Sequence, residues 1–210
     1  MNVDLWLAFT AASTALLLIP GPTVLLVLSY ALSQGRRVAV STAAGVATGD
    51  LIAMSVSMAG FGALIAASAT AFVVLKWIGA LYLVYLGLRL ILSARTAAPL
   101  QATRALGPIT AAATYRNAAL VTALNPKSIG FFVAFVPQFI DPARPFVGQA
   151  SVMIATFVAL AAVNALAYAL LADRLRARIE HPSVLRWLTR AGGATLIAMG
   201  ALTATLRRAA

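Results

Sequence analysis

The chain has no cysteine, one histidine and five acidic residues among 210. Without cysteine there is no disulfide scaffold, thiolate metal site or thiol nucleophile. The lone histidine, His181, sits beside Pro182 in a basic stretch and reads as a solvated loop residue rather than a metal ligand. No His-Glu-x-x-His zinc motif and no nucleotide-binding motif occurs, so no cofactor is expected. Charge is scarce as well: charged residues make up 10%, against about 25% in soluble domains. What fills their place is apolar, with 62% from the set AVILMFWYC and a mean hydropathy of +0.94. Such a chain cannot cover itself with polar surface, so its solvent is lipid. Disorder is excluded by the same hydrophobicity.

The net charge of +11 does not point to nucleic acid. The basic residues fall at the ends of apolar runs, with no lysine-rich block and no aromatic-interleaved patch, as positive-inside topology requires. A membrane span needs about 20 predominantly apolar residues. Six such stretches are legible, making an all-α polytopic membrane protein: Leu5 to Leu32, Val38 to about Ala71, Lys76 to about Arg89, Ala118 to Ile140, Val147 to Leu171, and Trp187 to Leu206. The first is interrupted by Pro20-Gly21-Pro22 and the fourth by Asn125-Pro126-Lys127. The N-terminus has Asp4 in place of a basic n-region, so the first helix is expected to be retained rather than cleaved as a signal peptide.

Orientation follows the arginines. The connections after spans one, three and five hold Arg36, Arg37, Arg89, Arg95, Arg104, Arg116, Arg174, Arg176, Arg178, Arg186 and Arg190. The opposite side has only Lys76, Arg144, Arg207 and Arg208. This asymmetry predicts cytoplasmic arginine loops and both termini outside. The chain reads as one transmembrane domain, its halves 1–95 and 112–210 joined by a cytoplasmic loop 96–111.

The halves share a pattern. Each opens on a proline-broken span, and each ends on a span with a tryptophan before two glycines: Trp77, Gly79 and Gly87 in the first, Trp187, Gly192 and Gly200 in the second. Three spans per half is odd, so the second half is inverted relative to the first. Paired proline-interrupted segments in inverted halves mark the binding site of many transporters. A broken helix frees backbone N–H and C=O groups that lipid cannot satisfy, and these become ligands where protein or a water-filled cavity covers them.

Asp50 is the one acid deep in an apolar stretch, after Gly45-Val46-Ala47-Thr48-Gly49, whose two glycines let another helix approach closely. It lies about 18 Å along its helix from Val38, near mid-bilayer, where a charge costs about 2.5–3.5 kcal/mol even on insertion scales. It is a candidate proton acceptor, or a partner for a substrate ammonium or a structural arginine. Lys127 has three readings: pairing with Asp50, facing a substrate carboxylate, or snorkelling to the interface. Asn125, Gln138 and Asn164 are further intramembrane polar groups, suited to interhelical bonding or to ligand binding. An aspartyl protease needs two carboxylates sharing a proton, and Asp4, Asp141, Asp173 and Glu180 all fall at span ends or in loops. A passive channel or a structural subunit is the other competing class.

These segments resemble the LysE/RhtB family of amino acid exporters. The similarity rests on Pro20-Gly21-Pro22-Thr23, Gln34-Gly35-Arg36-Arg37, Gly49-Asp50, Lys76-Trp77-Ile78-Gly79, Asn125-Pro126-Lys127 and Pro137-Gln138-Phe139. The resemblance implies a small carrier, often dimeric, in the bacterial cytoplasmic membrane, that expels amino acids or their derivatives in exchange for protons. From the broken helices and the buried polar groups, substrate contacts are expected at Pro20, Gly21, Pro22, Thr23, Asn125, Pro126, Lys127 and Asn164, and proton coupling at Asp50. Ala118, Tyr115 and Thr23 depart from the residues relatives commonly carry there (glycine, phenylalanine and asparagine).

Overall fold

A computed structural model of the protein describes residues 1–67, 69–94, 109–141, 143–179 and 181–205. Arg95, Arg104, Glu180, Arg207, Arg208 and most of the loop 96–111 lie outside the described residues. Every element among those described is helical: α1 (Val3–Leu18), α2 (Pro22–Gln34), α3 (Ala39–Ala67), α4 (Ala69–Ser93), α5 (Ala111–Ala123), α6 (Pro126–Ala134), α7 (Phe146–Ile179) and α8 (Pro182–Thr205). Short 3-10 turns follow α2 (Gly35–Val38) and α6 (Val136–Phe139). Three stretches are long and apolar enough to cross a membrane (Pro22–Gly62, Val73–Ser93, Phe146–Ala172), and α5 with α6 forms a further bent pair.

Local chemistry sets the breaks. Asn2 caps α1 by accepting from the Asp4 N–H (3.0 Å), and Asp4 complements the positive end of the helix. At Ile19 the chain turns extended (φ −72°, ψ 119°), because a residue before proline is driven out of the helical region. Pro22 then starts α2 at its first position, where the missing N–H is no loss. The second break repeats the device: Asn125 caps α6, Pro126 opens it, and α5 and α6 meet at 45°. Gly35, at φ 71°, ends α2 in the left-handed region.

Two elements begin earlier than the composition suggests. α4 starts at Ala69, not near Lys76, since lysine is a good helix former and does not interrupt it. α5 starts at Ala111, not near Ala118, because the Thr110 side chain accepts from the Ala113 N–H (3.2 Å) and caps it there.

Helix packing is governed by glycine. Gly45 and Gly49 seat α3 on α5: a Cβ at Gly49 would lie 2.5 Å from the Ala119 carbonyl oxygen, and one at Gly45 would strike that of Tyr115. This is the close approach expected from that glycine pair. Between α4 and α8 the contact is reciprocal. A Cβ at Gly87 would fall 2.5 Å from the Gly193 oxygen, and one at Gly193 would fall 2.6 Å from the Gly87 oxygen. Gly87 likewise faces Ile197 while Gly193 faces Ile91. Because Gly200 meets Ala80 and Val84, α8 runs antiparallel to α4. One constant register separates Gly87 from Gly193, Ile91 from Ile197 and Pro20 from Pro126. A cluster of phenylalanines (Phe131, Phe132, Phe135, Phe139 with Phe157 and Phe9) locks α6 onto α7 and α1, the Phe132 and Phe157 rings meeting edge-on at 4.8 Å.

A Gly87→Val substitution is expected to destabilise the protein by about 1–3 kcal/mol, as overpacking does. Gly60→Val, at a position where a Cβ meets nothing within 4 Å, is expected to be near neutral. Thermal unfolding in detergent separates the two; equal melting temperatures would refute the α4–α8 contact.

Candidate functional site

An α-helix leaves its last four carbonyls without intrahelical partners, and within lipid each needs one from elsewhere in the protein. The end of α1 is completed by side chains from α6 and α7. Lys127 Nζ donates to Leu16 O (3.0 Å) and Ile19 O (2.8 Å). Asn164 Nδ2 donates to Leu17 O (3.1 Å), and the Tyr168 hydroxyl to Leu18 O (3.1 Å). The ammonium also sits at the negative end of the α1 dipole, where a cation is favoured. Lys127 therefore does not snorkel: its charge is turned inward, onto the first break.

The two breaks are stitched together. Asn125 Oδ1 accepts from the Lys127 N–H (3.0 Å) and caps α6, while its Nδ2 donates to Thr23 Oγ1 (3.0 Å). Thr23 Oγ1 also lies 3.3 Å from Thr122 Oγ1. The α2 N-terminus, by contrast, has no side-chain cap at Gly21. Its first N–H groups form a positive pole beside the negative pole of α1.

Asp50 faces this junction from α3. It is 2% exposed, and its Oδ1 is buried without a hydrogen-bond partner. Among the described residues no ion pair joins Asp50 to Lys127, although the two share a cavity. That inner cavity, of about 20 Å³, is lined by Thr23, Asp50, Asn125, Lys127, Asn164 and Tyr168, among others. It has room for about one water, which needs roughly 10–15 Å³. A second cavity of about 230 Å³ is lined by Pro20, Gly21, Pro22, Arg89, Pro126 and others, and shares Asn125 and Lys127 with the first. These two residues are the lining the cavities have in common.

The nine residues expected to contact substrate or carry the proton line one or the other cavity, and Gln138 lines neither. Tyr168, Ser128 and Arg89 also line them without having been singled out. Tyr168 stands one turn beyond Asn164 on the same helix face, a signal that is readable in the sequence. Arg89 reads there as a topology marker alone. Gln138 Nε2 is buried without a partner. The Tyr115 hydroxyl donates to Thr48 Oγ1 (3.0 Å), a bond phenylalanine lacks, and Ala118 packs fully buried beside Gly45. Among the described residues no group of three or more His, Cys, Asp or Glu gathers to hold a metal.

The model of the family described as LysE type translocator matches residues 14–206. The chain belongs to that family. It is a transporter rather than an enzyme. This translocator is 36% identical over 207 residues to an uncharacterized membrane protein of Vibrio cholerae, covering 99% of this chain and 100% of the relative. It is 35% identical to a homoserine/homoserine lactone efflux protein of Salmonella typhimurium, over the full length of both. A leucine efflux protein of Salmonella typhimurium matches at 34% over 141 residues, 67% of this chain and 66% of the relative. No solved structure matches the chain.

Asn164→Leu and Tyr168→Phe each strip one α1 carbonyl of its partner. Each is expected to cost about 0.6 kcal/mol, up to ~1.7, as interhelical hydrogen bonds in membranes do. Melting temperatures in detergent measure the loss; no shift in either variant would mean those bonds are absent.

Proposed function

We propose that the protein is a secondary exporter of small neutral amino acids or their derivatives, working by exchange with protons across the bacterial cytoplasmic membrane. The observation that carries this reading is the convergence at one junction: both poles of a broken helix and a buried carboxyl with an unpaired oxygen, flanked by two cavities. The negative pole of α1 suits a substrate ammonium and the positive pole of α2 suits its carboxylate. Substrate then contacts Pro20, Gly21, Pro22, Thr23, Asn125, Pro126, Lys127 and Asn164. Asp50 carries the proton, because a lipid-embedded carboxyl that gains and loses one is charged in one step of the cycle and neutral in the next. Threonine, homoserine, homoserine lactone and leucine are the substrates in view. Two relatives carry efflux names for three of these, and one buried acid is too little negative charge to favour a cationic amino acid.

The reading includes six crossings in two inverted halves, 1–95 and 112–210, rocking around the junction. It is supported by the reciprocal Gly87–Gly193 contact, the antiparallel α4 and α8, and the shared register of the two breaks. An always-open channel is disfavoured by the inner cavity, which has room for about one water.

Asp50→Asn is expected to abolish uncoupler-sensitive efflux of labelled homoserine from whole cells while leaving membrane insertion intact. Parental efflux from that variant at several pH values would remove Asp50 from the mechanism. Reporter fusions at Arg104 and Arg178 are expected to read cytoplasmic and one at Arg144 external; an external signal from either arginine loop would reverse the orientation.

A further inference from the structure

Lys127 holds a position that none of the sequence readings anticipates. Its ammonium is not paired with Asp50, and no substrate carboxylate is needed to explain it. It sits on two backbone oxygens, Leu16 O and Ile19 O, with the Gly21 backbone against it: a Cβ there would stand 3.4 Å from Nζ. The same side chain lines both the 20 Å³ inner cavity and the 230 Å³ outer one. An alkylammonium on the carbonyl pole of a helix end is also the arrangement a substrate's α-ammonium would adopt there.

We propose that the Lys127 ammonium is a tethered occupant of the substrate's ammonium subsite. In the empty carrier it fills the α1 carbonyl cage and closes the passage between the cavities. An incoming α-ammonium takes Leu16 O and Ile19 O in its place. The released lysine turns to the unpartnered Oδ1 of Asp50, which lines the same inner cavity, so neither charge is left buried alone. This inference rests on the reading of the protein as a carrier of α-amino compounds and adds which substrate group opens it. The ammonium is obligatory, because it alone competes with Lys127. The carboxylate is dispensable, so a free amino acid and its lactone share the site, whereas an N-acylated derivative does not enter.

The absence of cysteine makes the passage directly measurable. Ala165→Cys puts the chain's one thiol on the wall of the inner cavity. Ala150→Cys, buried about 22 Å away along α7, serves as control. The probe is a cationic methanethiosulfonate reagent acting on the full chain in nanodiscs. With Lys127 present, the thiol of the Ala165→Cys variant is expected to react slowly. Adding Lys127→Met is expected to raise that rate at least about tenfold, since an occluding population is removed. Lys127→Arg stays slow, and the thiol of the Ala150→Cys control is unchanged in every background. In the Met variant n-propylammonium fills the vacated cage and slows labelling severalfold, while propionate does not. Should the Met variant fail to fold, Lys127→Gln, which keeps a hydrogen-bond donor but no charge, is expected to behave like it.

Three results would overturn the proposal: a folded Met or Gln variant labelled at the parental rate, equal acceleration in the Ala150→Cys control, or protection by propionate instead of propylammonium. Labelling requires no turnover. A carrier that fails the efflux assay can still pass this test, and one that exports can still fail it.

Discussion

A backbone carbonyl facing hydrocarbon without a donor costs several kcal/mol, and two apolar helices, α1 and α2, part at Pro20-Gly21. The rest of the structure depends on how those carbonyls are satisfied. Four consecutive ones, Leu16 to Ile19, are met by three side chains, those of Lys127, Asn164 and Tyr168, with the Ile19 N–H also donating to Leu16 O. One of the three belongs to the second break and two to α7. The first break therefore exists only while α6 and α7 are docked beside it.

That docking explains the packing. The phenylalanine cluster presses α6 onto α7 and α1, while Gly45 and Gly49 draw α3 against α5 and bring Asp50 to the junction. The reciprocal glycines of α4 and α8 hold that pair together, and both helices line the larger cavity. Where glycine lets two backbones meet, small shifts are resisted. Where side chains reach across to a helix end, the partners can be exchanged for those of a ligand. The site is thus built from the replaceable contacts and framed by the irreplaceable ones.

Much of this is legible in the residues themselves. Pro-Gly-Pro and Asn-Pro-Lys announce broken helices because proline forbids the helical hydrogen bond wherever it stands. A lone aspartate after Gly-x-x-x-Gly announces a close helix pair with a buried charge. What the residues do not disclose is which partner each polar group chooses. Lys127 has three destinations open to it in the sequence. The one adopted, the carbonyls of a helix more than a hundred residues earlier, is fixed by tertiary docking rather than by neighbours. Tyr168 is easily passed over because a single tyrosine in an apolar helix looks like packing, and Arg89 because one charge near a span end already has a topological explanation. The start at Ala111 precedes its apolar run because hydropathy marks where lipid begins, whereas the Thr110 cap marks where the helix begins.

The family of translocators to which the chain belongs, and the efflux names of two relatives, agree with a junction whose opposite poles match a zwitterion. The most direct test of the account is a structure of the protein with homoserine bound. The account predicts the ligand's ammonium on the Leu16 and Ile19 carbonyls and its carboxylate at the uncapped α2 N-terminus. A ligand bound elsewhere, with both helix breaks untouched and Lys127 still seated on α1, would contradict it.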